Sequence, residues 1–138
     1  MKVVLSMDVK KTNPTTRVER LKEYVEGVLS DKKFNNFYYH NIVHTIDVYN
    51  SAKMYARMER ISEKYIDPLL AAALLHDIGY LKQQKGHEEI GARMADRVLR
   101  KYGFKSEEIA LVKRLILATK FPQNPGNDKL EHIICDAD

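Results

Sequence analysis

Residues 69–75 read Leu-Leu-Ala-Ala-Ala-Leu-Leu and run straight into His76-Asp77-Ile78-Gly79. A helix that is apolar on every side belongs in the middle of a protein, so this segment predicts a central helix with the rest of the chain packed around it. The Asp67-Pro68 pair ahead of it reads as a start signal, with Asp as the N-cap and Pro at the first helical position. The run is also the longest apolar stretch of the sequence, far short of the ~20 residues a membrane span needs. The stretch from Met1 to Met7 is too short for a signal-peptide core and meets Asp8. The expectation is a soluble cytoplasmic protein, and the single cysteine, Cys135, fits a reducing compartment.

The rest of the chain supplies the surrounding helices. Thr16-x-x-Glu19 has the form of a capping box, opening a helix that buries Val18, Leu21, Val25, Val28 and Leu29. A polar break from Ser30 to Asn36 precedes a second helix from Asn41 to about Ser62, whose apolar side is marked by Ile42, Ile46, Tyr49 and Met58. A fourth helix runs from His87 to Lys101, with Ile90, Met94, Val98 and Leu99 inward and Gly103 as its stop. Ser106 caps a fifth helix carrying Ile109, Val112, Leu115 and Ile116, and Asp128 opens a last one through Ile133 and Ile134 after a turn-rich loop from Pro122 to Asn127.

No stretch alternates with period two. Gly and Pro number only 6 and 4 in 138 residues, below the roughly 12% of an average chain. The expected fold is therefore all-α, a compact single-domain bundle of five to six helices over residues 15–138, behind a loose leader at 1–14. The net charge of +4 is compatible with an anionic ligand. The basic residues are scattered, without the blocks or interleaved aromatics of a nucleic-acid binder, and nucleic acid is not an expected partner.

Five histidines are present: His40, His44, His76, His87 and His132. His40 and His44 stand four apart and share one helix face. They are either ligands, or a ligand and an acid–base neighbour, or unpartnered surface histidines. His76-Asp77 ends the apolar helix, where an unpaired buried carboxylate is costly. Either a neighbouring cation resolves that cost or the pair is exposed where the helix leaves the core. Asp136 and Asp138 follow Ile133-Ile134; two acids spaced Asp-x-Asp cannot share one helix face, so at most one turns readily into a common site.

The ordered set Tyr39-His40-Asn41-Ile42-Val43-His44, His76-Asp77 and Asp136-Ala137-Asp138 resembles the H…HD…D pattern of the HD-domain metal-dependent phosphohydrolases, with Gly86-His87-Glu88-Glu89-Ile90-Gly91-Ala92 in support. The Tyr-His-Asn-x-x-His segment is also similar to one in the cyclic-nucleotide phosphodiesterases. The resemblance implies that His44, His76, Asp77 and Asp138 are metal ligands, with Asp136 the second choice for the last position. On the mechanism such a site suggests, Asp77 either orients the attacking water or bridges to a second metal. His40 resembles the histidine that protonates the leaving oxygen, and His87 one that contacts the phosphate or a second metal.

The sequence departs from the family in two places. Ile78, Gly79 and Tyr80 occupy positions where some relatives carry a catalytic acid. Leu117-Ala118-Thr119 stands where dinuclear relatives carry another histidine. One tight site for a divalent ion follows, with a second, weaker site open, and the donor set does not choose among Mn, Fe, Ni, Co, Mg and Zn. The implied function is hydrolysis of a phosphate ester or anhydride in a small phosphorylated substrate, a nucleotide first. The competing readings are a non-catalytic nucleotide- or metal-binding regulatory module and a purely structural helical domain. HD domains generally continue past the closing acid, so the chain is expected to be truncated at its C-terminus, or its site closed loosely or by another copy in a homo-oligomer.

Overall fold

The computed structural model describes residues 16–30 and 35–138, with side chains for 16–30 and 42–138. The expected leader at 1–14 lies outside the described residues, as do 31–34 of the polar break. Six α-helices are present among the described residues: α1 (Arg17–Leu29), α2 (Asn35–Met58), α3 (Glu63–Leu75), α4 (His87–Lys101), α5 (Ser106–Ala118) and α6 (Lys129–Ala137). A short 3₁₀ turn at Ile78–Leu81 joins α3 to α4. The described residues contain no strand, and their fold is all-α as the periodicity predicts.

The apolar run is the axis of the fold. Every residue from 68 to 76 is buried, and α3 packs against α1, α2, α5 and α6, while α4 packs on α5 and the 3₁₀ turn. α1 begins with the expected capping box: the Thr16 hydroxyl accepts from Glu19 N at 3.0 Å, and Glu19 Oε1 accepts from Thr16 N at 3.2 Å. It buries Val18, Leu21, Val25 and Leu29, leaving Val28 half-exposed at the edge of the stripe. Arg17 ties this helix to two others. Its guanidinium forks onto Glu108 of α5 at 3.0 and 2.6 Å, bonds Asp67 of α3 at 2.8 Å and lies over the Phe104 ring.

Three expected boundaries move. α2 starts at Asn35 instead of Asn41, since neither Gly nor Pro interrupts residues 35–41. It stops at Met58, four residues before Ser62. Ile61 N bonds Ala56 O at 3.0 Å and Arg60 N bonds Arg57 O at 3.2 Å, with Arg60 at φ 55°. This is a Schellman stop in which arginine takes the left-handed position glycine usually fills, so no glycine marks it in the sequence. Met58 is consequently 69% exposed instead of inward. The buried stripe of α2 is Thr45, Val48, Tyr49, Ala52 and Ala56.

α3 starts at Glu63, which places Asp67-Pro68 inside the helix instead of at its head. Pro68 withholds a hydrogen bond from the Lys64 carbonyl, but residues 62–65 are exposed and water can serve it. Asp67 is freed to meet Arg17. α5 is entered from Lys105, with Ser106 as its first helical residue. Glu108 reaches back to Lys105 N at 2.8 Å.

α4 turns a different face inward than its large residues suggest. Gly91, Ala92, Ala95 and Leu99 are buried, whereas Ile90, Met94 and Val98 are half-buried. Small residues let α4 approach the 3₁₀ turn closely, and that approach outweighs the larger apolar side chains one position away. Gly103, at φ 84°, ends the helix as expected. Asp128 caps α6 by accepting from Leu130 N and Glu131 N at 2.8 and 3.3 Å. Among the described residues no helix is long and apolar enough to cross a membrane.

Candidate metal centre

The buried end of α3 fixes the first ligand position. His76 is fully buried because it caps the apolar helix. Its Nδ1 lies 2.8 Å from the Ala73 carbonyl. A carbonyl only accepts, so Nδ1 carries the proton and donates. Nε2, the remaining ring nitrogen, points at three other polar groups.

The first of these groups is His44 of α2, with the two Nε2 atoms 3.3 Å apart and the rings edge to face. Asp77, one residue beyond the helix, brings Oδ2 to 3.2 Å from His76 Nε2 and 3.7 Å from His44 Nε2. Asp138, at the end of α6, brings Oδ1 to 2.8 Å from His44 Nε2 and 3.3 Å from His76 Nε2. The ligand atoms of His44, His76 and Asp77 all lie within 4.8 Å of one another.

Electrostatics favour positive charge at this point. Burial opposes protonation of His76, but Asp138 and Asp77 outweigh it and hold its pKa up to about 10. Burial likewise pushes Asp138 and Asp77 upward. For Asp138 the bonds to His44 and His76 prevail and hold it well below the ordinary carboxylate range. For Asp77, His76 and His87 have the same effect. In the metal-free cluster a proton on His76 supplies the balancing charge, the place a divalent cation would take. The donor set, two imidazole nitrogens and two carboxylate oxygens, suits such an ion. His76 has its outer nitrogen pinned to a backbone carbonyl, the arrangement that orients a ligating histidine.

Asp77 also faces the other way. Its Oδ1 lies 3.0 Å from His87 Nε2, which is 3.3 Å from Glu88 Oε2. The His87 ring stacks on Tyr80 at 3.9 Å between centroids, and its Nδ1 lies 3.2 Å from the Gln84 carbonyl. Burial, then Asp77, Glu88 and Asp138, push the Tyr80 hydroxyl upward and keep it protonated. His87 thus borders the cluster through Asp77 without joining the four ligand atoms.

The remaining candidates separate. His40 lies on α2 one turn before His44, and its side chain lies outside the described residues. Asp136 is exposed and lines a different cleft of about 750 Å³, with Tyr55, Met58 and His132, so Asp138 is the acid that meets the cluster. Of the lysines near these motifs in sequence, candidates to counter phosphate charge, Lys82 and Lys85 are exposed and Lys120 pairs with Glu89 at 2.6 Å. His132 Nε2 lies 2.7 Å from the Gly126 carbonyl, and Cys135 Sγ donates to the Ala118 carbonyl at 3.2 Å. Glu88 belongs to the supporting Gly86–Ala92 segment, which gives it no role of its own, whereas Gln123 carries no motif and only the folded chain brings it to the site. Gln123 Nε2 donates to Asp138 Oδ2 at 2.9 Å.

A helical bundle that gathers two histidines and two aspartates at the buried end of its central helix has the architecture of a divalent-metal centre. The family model of the HD domain matches residues 41–138, more than two-thirds of the chain. The chain belongs to the HD-domain family. The structure is similar to the crystal structure of a predicted HD superfamily hydrolase from an uncultured Thermotogales bacterium. The two share 23% identity with a TM-score of 0.69, over 95% of this chain and 70% of that one, a likeness of fold. No curated protein matches the chain.

Proposed function

We propose that this HD domain hydrolyses a phosphate ester or anhydride in a small phosphorylated molecule, with nucleotides the class to examine first. The observation that carries the proposal is the meeting of His44, His76, Asp77 and Asp138 at one point. These four residues would hold a divalent ion, which would supply positive charge against a phosphoryl oxygen and lower the pKa of water toward neutrality. His76, with its ring pinned to the Ala73 carbonyl, fixes the centre of the site. Asp77 is assigned the orientation of the attacking water, a role supported by its two oxygens facing the cluster and His87 separately. His87 Nε2, 3.0 Å from Asp77 Oδ1, borders the cluster and is assigned a second phosphate oxygen or a weaker second cation. His40, one turn from His44, is assigned the proton donated to the leaving oxygen. The single cysteine supports a reducing cytoplasm as the proposed location.

A regulatory module is the second reading. It is favoured by the segment after His76-Asp77, where Ile78 and Gly79 are buried in packing and no acid follows. The deciding experiment is hydrolysis of a nucleotide and phosphate-ester panel with Mn²⁺, Ni²⁺, Fe²⁺, Co²⁺, Mg²⁺ and Zn²⁺, using the parent protein and the His76→Ala and Asp77→Ala variants. Turnover by the parent, abolished in both variants with helix content retained, supports the hydrolase. Tight nucleotide binding without turnover supports the regulatory reading. Neither metal retention nor a thermal shift with any ion removes both.

A further inference from the structure

We infer that Gln123 is a positioning residue for the metal centre, acting through Asp138; this rests on the site proposed above. Asp138 presents Oδ1 to His44 and His76, and the orientation of that oxygen depends on what holds Oδ2. That partner is the Gln123 amide. Its Nε2 lies 2.9 Å from Asp138 Oδ2 and 3.4 Å from the Thr119 carbonyl. Both neighbours are acceptors, so the nitrogen side of the amide must face them, and a carboxamide has the two N–H groups to serve both.

The loop that carries Gln123 is tied down on either side of it. Thr119 is buried and its hydroxyl donates to the Ile116 carbonyl at 2.7 Å, while Lys120 bonds Glu89 of α4. Beyond Gln123, Arg114 of α5 bonds Asp128 at 2.7 Å and also Glu131, holding the start of α6. Gln123 is therefore a held donor behind a carboxylate ligand, and such outer partners set both the geometry and the basicity of the ligand. The acid stands at the C-cap of α6, and its rotamer is fixed by what holds Oδ2. The amide performs that task from the neighbouring loop.

The test is Mn²⁺ affinity, measured by competition with a chelator, in the parent protein, Gln123→Ala, Gln123→Met and Arg114→Ala. Methionine keeps the length of the side chain and removes only the donor, so it also reports if the alanine variant folds poorly. Both Gln123 variants are expected to bind Mn²⁺ about 10–100-fold more weakly, the range seen when an outer partner of a ligand is lost. Arg114→Ala loosens the same loop and helix without touching Asp138. It is expected to lower the thermal midpoint while keeping parental affinity. A merely structural role for Gln123 predicts that affinity follows thermal midpoint in all three variants, and that result overturns the inference. So does Gln123→Met with parental affinity. If the parent itself binds no Mn²⁺, the metal centre falls and the inference with it. If the parent binds and His76→Ala does not, while the Gln123 variants match the parent, the inference alone fails.

Discussion

The close backbone approach at Gly79 offers a severe test of how the site is built. A Cβ added at Gly79 would lie 1.9 Å from the His87 carbonyl oxygen, 2.7 Å from the His87 carbonyl carbon and 2.9 Å from Gly91 N. All three are backbone atoms, so no side-chain rotation relieves the overlap. Reaching ordinary contact near 3.4 Å requires the 3₁₀ turn and the head of α4 to separate by about 1.5 Å (3.4 − 1.9). Overpacking of this kind costs about 1–3 kcal/mol, and a backbone clash this close sits at or above the upper end. For a domain of this size about 3 kcal/mol lowers the thermal midpoint by about 10 °C.

The functional consequence follows from the same displacement. Taken along the Asp77–His87 line, a 1.5 Å shift stretches the 3.0 Å contact well past hydrogen-bonding distance. His44, His76 and Asp138 do not lie on the displaced elements. Gly79→Ala is therefore expected to retain most Mn²⁺ affinity and to lose turnover. Gly91→Ala is the control. Its added carbon meets Gly79 N at 3.4 Å and then Ile78 Cγ2 and the Leu75 carbonyl at 3.7 Å, all ordinary contacts. Alanine is about 0.5–1 kcal/mol better than glycine within a helix, so this variant should match or slightly exceed the parent. Urea denaturation and Mn²⁺ titration of the two variants decide the matter. A Gly79→Ala protein within about 0.5 kcal/mol of the parent, the spread of an ordinary surface substitution, would refute the steric argument.

Two further outcomes are expected. Arg17→Ala should destabilise by about 2–3 kcal/mol, chiefly through the bidentate Glu108 pair, because Asp67 is 40% exposed and its bond is weakened by solvent. A loss under about 0.5 kcal/mol on chemical denaturation would mean that the guanidinium does not hold α1 to the core. In the metal-free protein the pKa of His76 is raised from 6.5 to about 10, so its contribution to stability is complete below pH 6.5 and is lost as pH rises toward 10. Metal binding must displace that proton. Mn²⁺ affinity should therefore climb over the same interval, and titration calorimetry in buffers of different ionisation enthalpy should detect proton release. Binding without proton release near pH 7.5 would contradict the protonated cluster.

The sequence by itself determined the elements that depend on local pattern. The apolar run 69–75 had to be central, since no face of it tolerates water. The stripe of α1, the inward residues of α5 and the cap at Asp128 followed from helical spacing and capping chemistry. The ordered His44, His76-Asp77 and Asp138 motif pointed to the family.

What the tertiary structure decided are relations between distant parts of the chain. His44 and Asp138 are 94 positions apart, and only the packing of α2 and α6 on α3 brings them to 2.8 Å. That packing also turns Asp138 inward and Asp136 outward, a choice that Asp-x-Asp spacing leaves open. α4 buries its small face because backbone proximity at Gly79 and Gly91 governs its approach, a quantity hydrophobicity does not encode. Arg60 stops α2 without a glycine, and Asp67 serves Arg17 instead of a helix start, since in each case the surrounding contacts outweigh the local preference. Gln123 lies in a loop without periodicity or motif. Its amide has meaning only beside a carboxylate that the fold delivers from another helix.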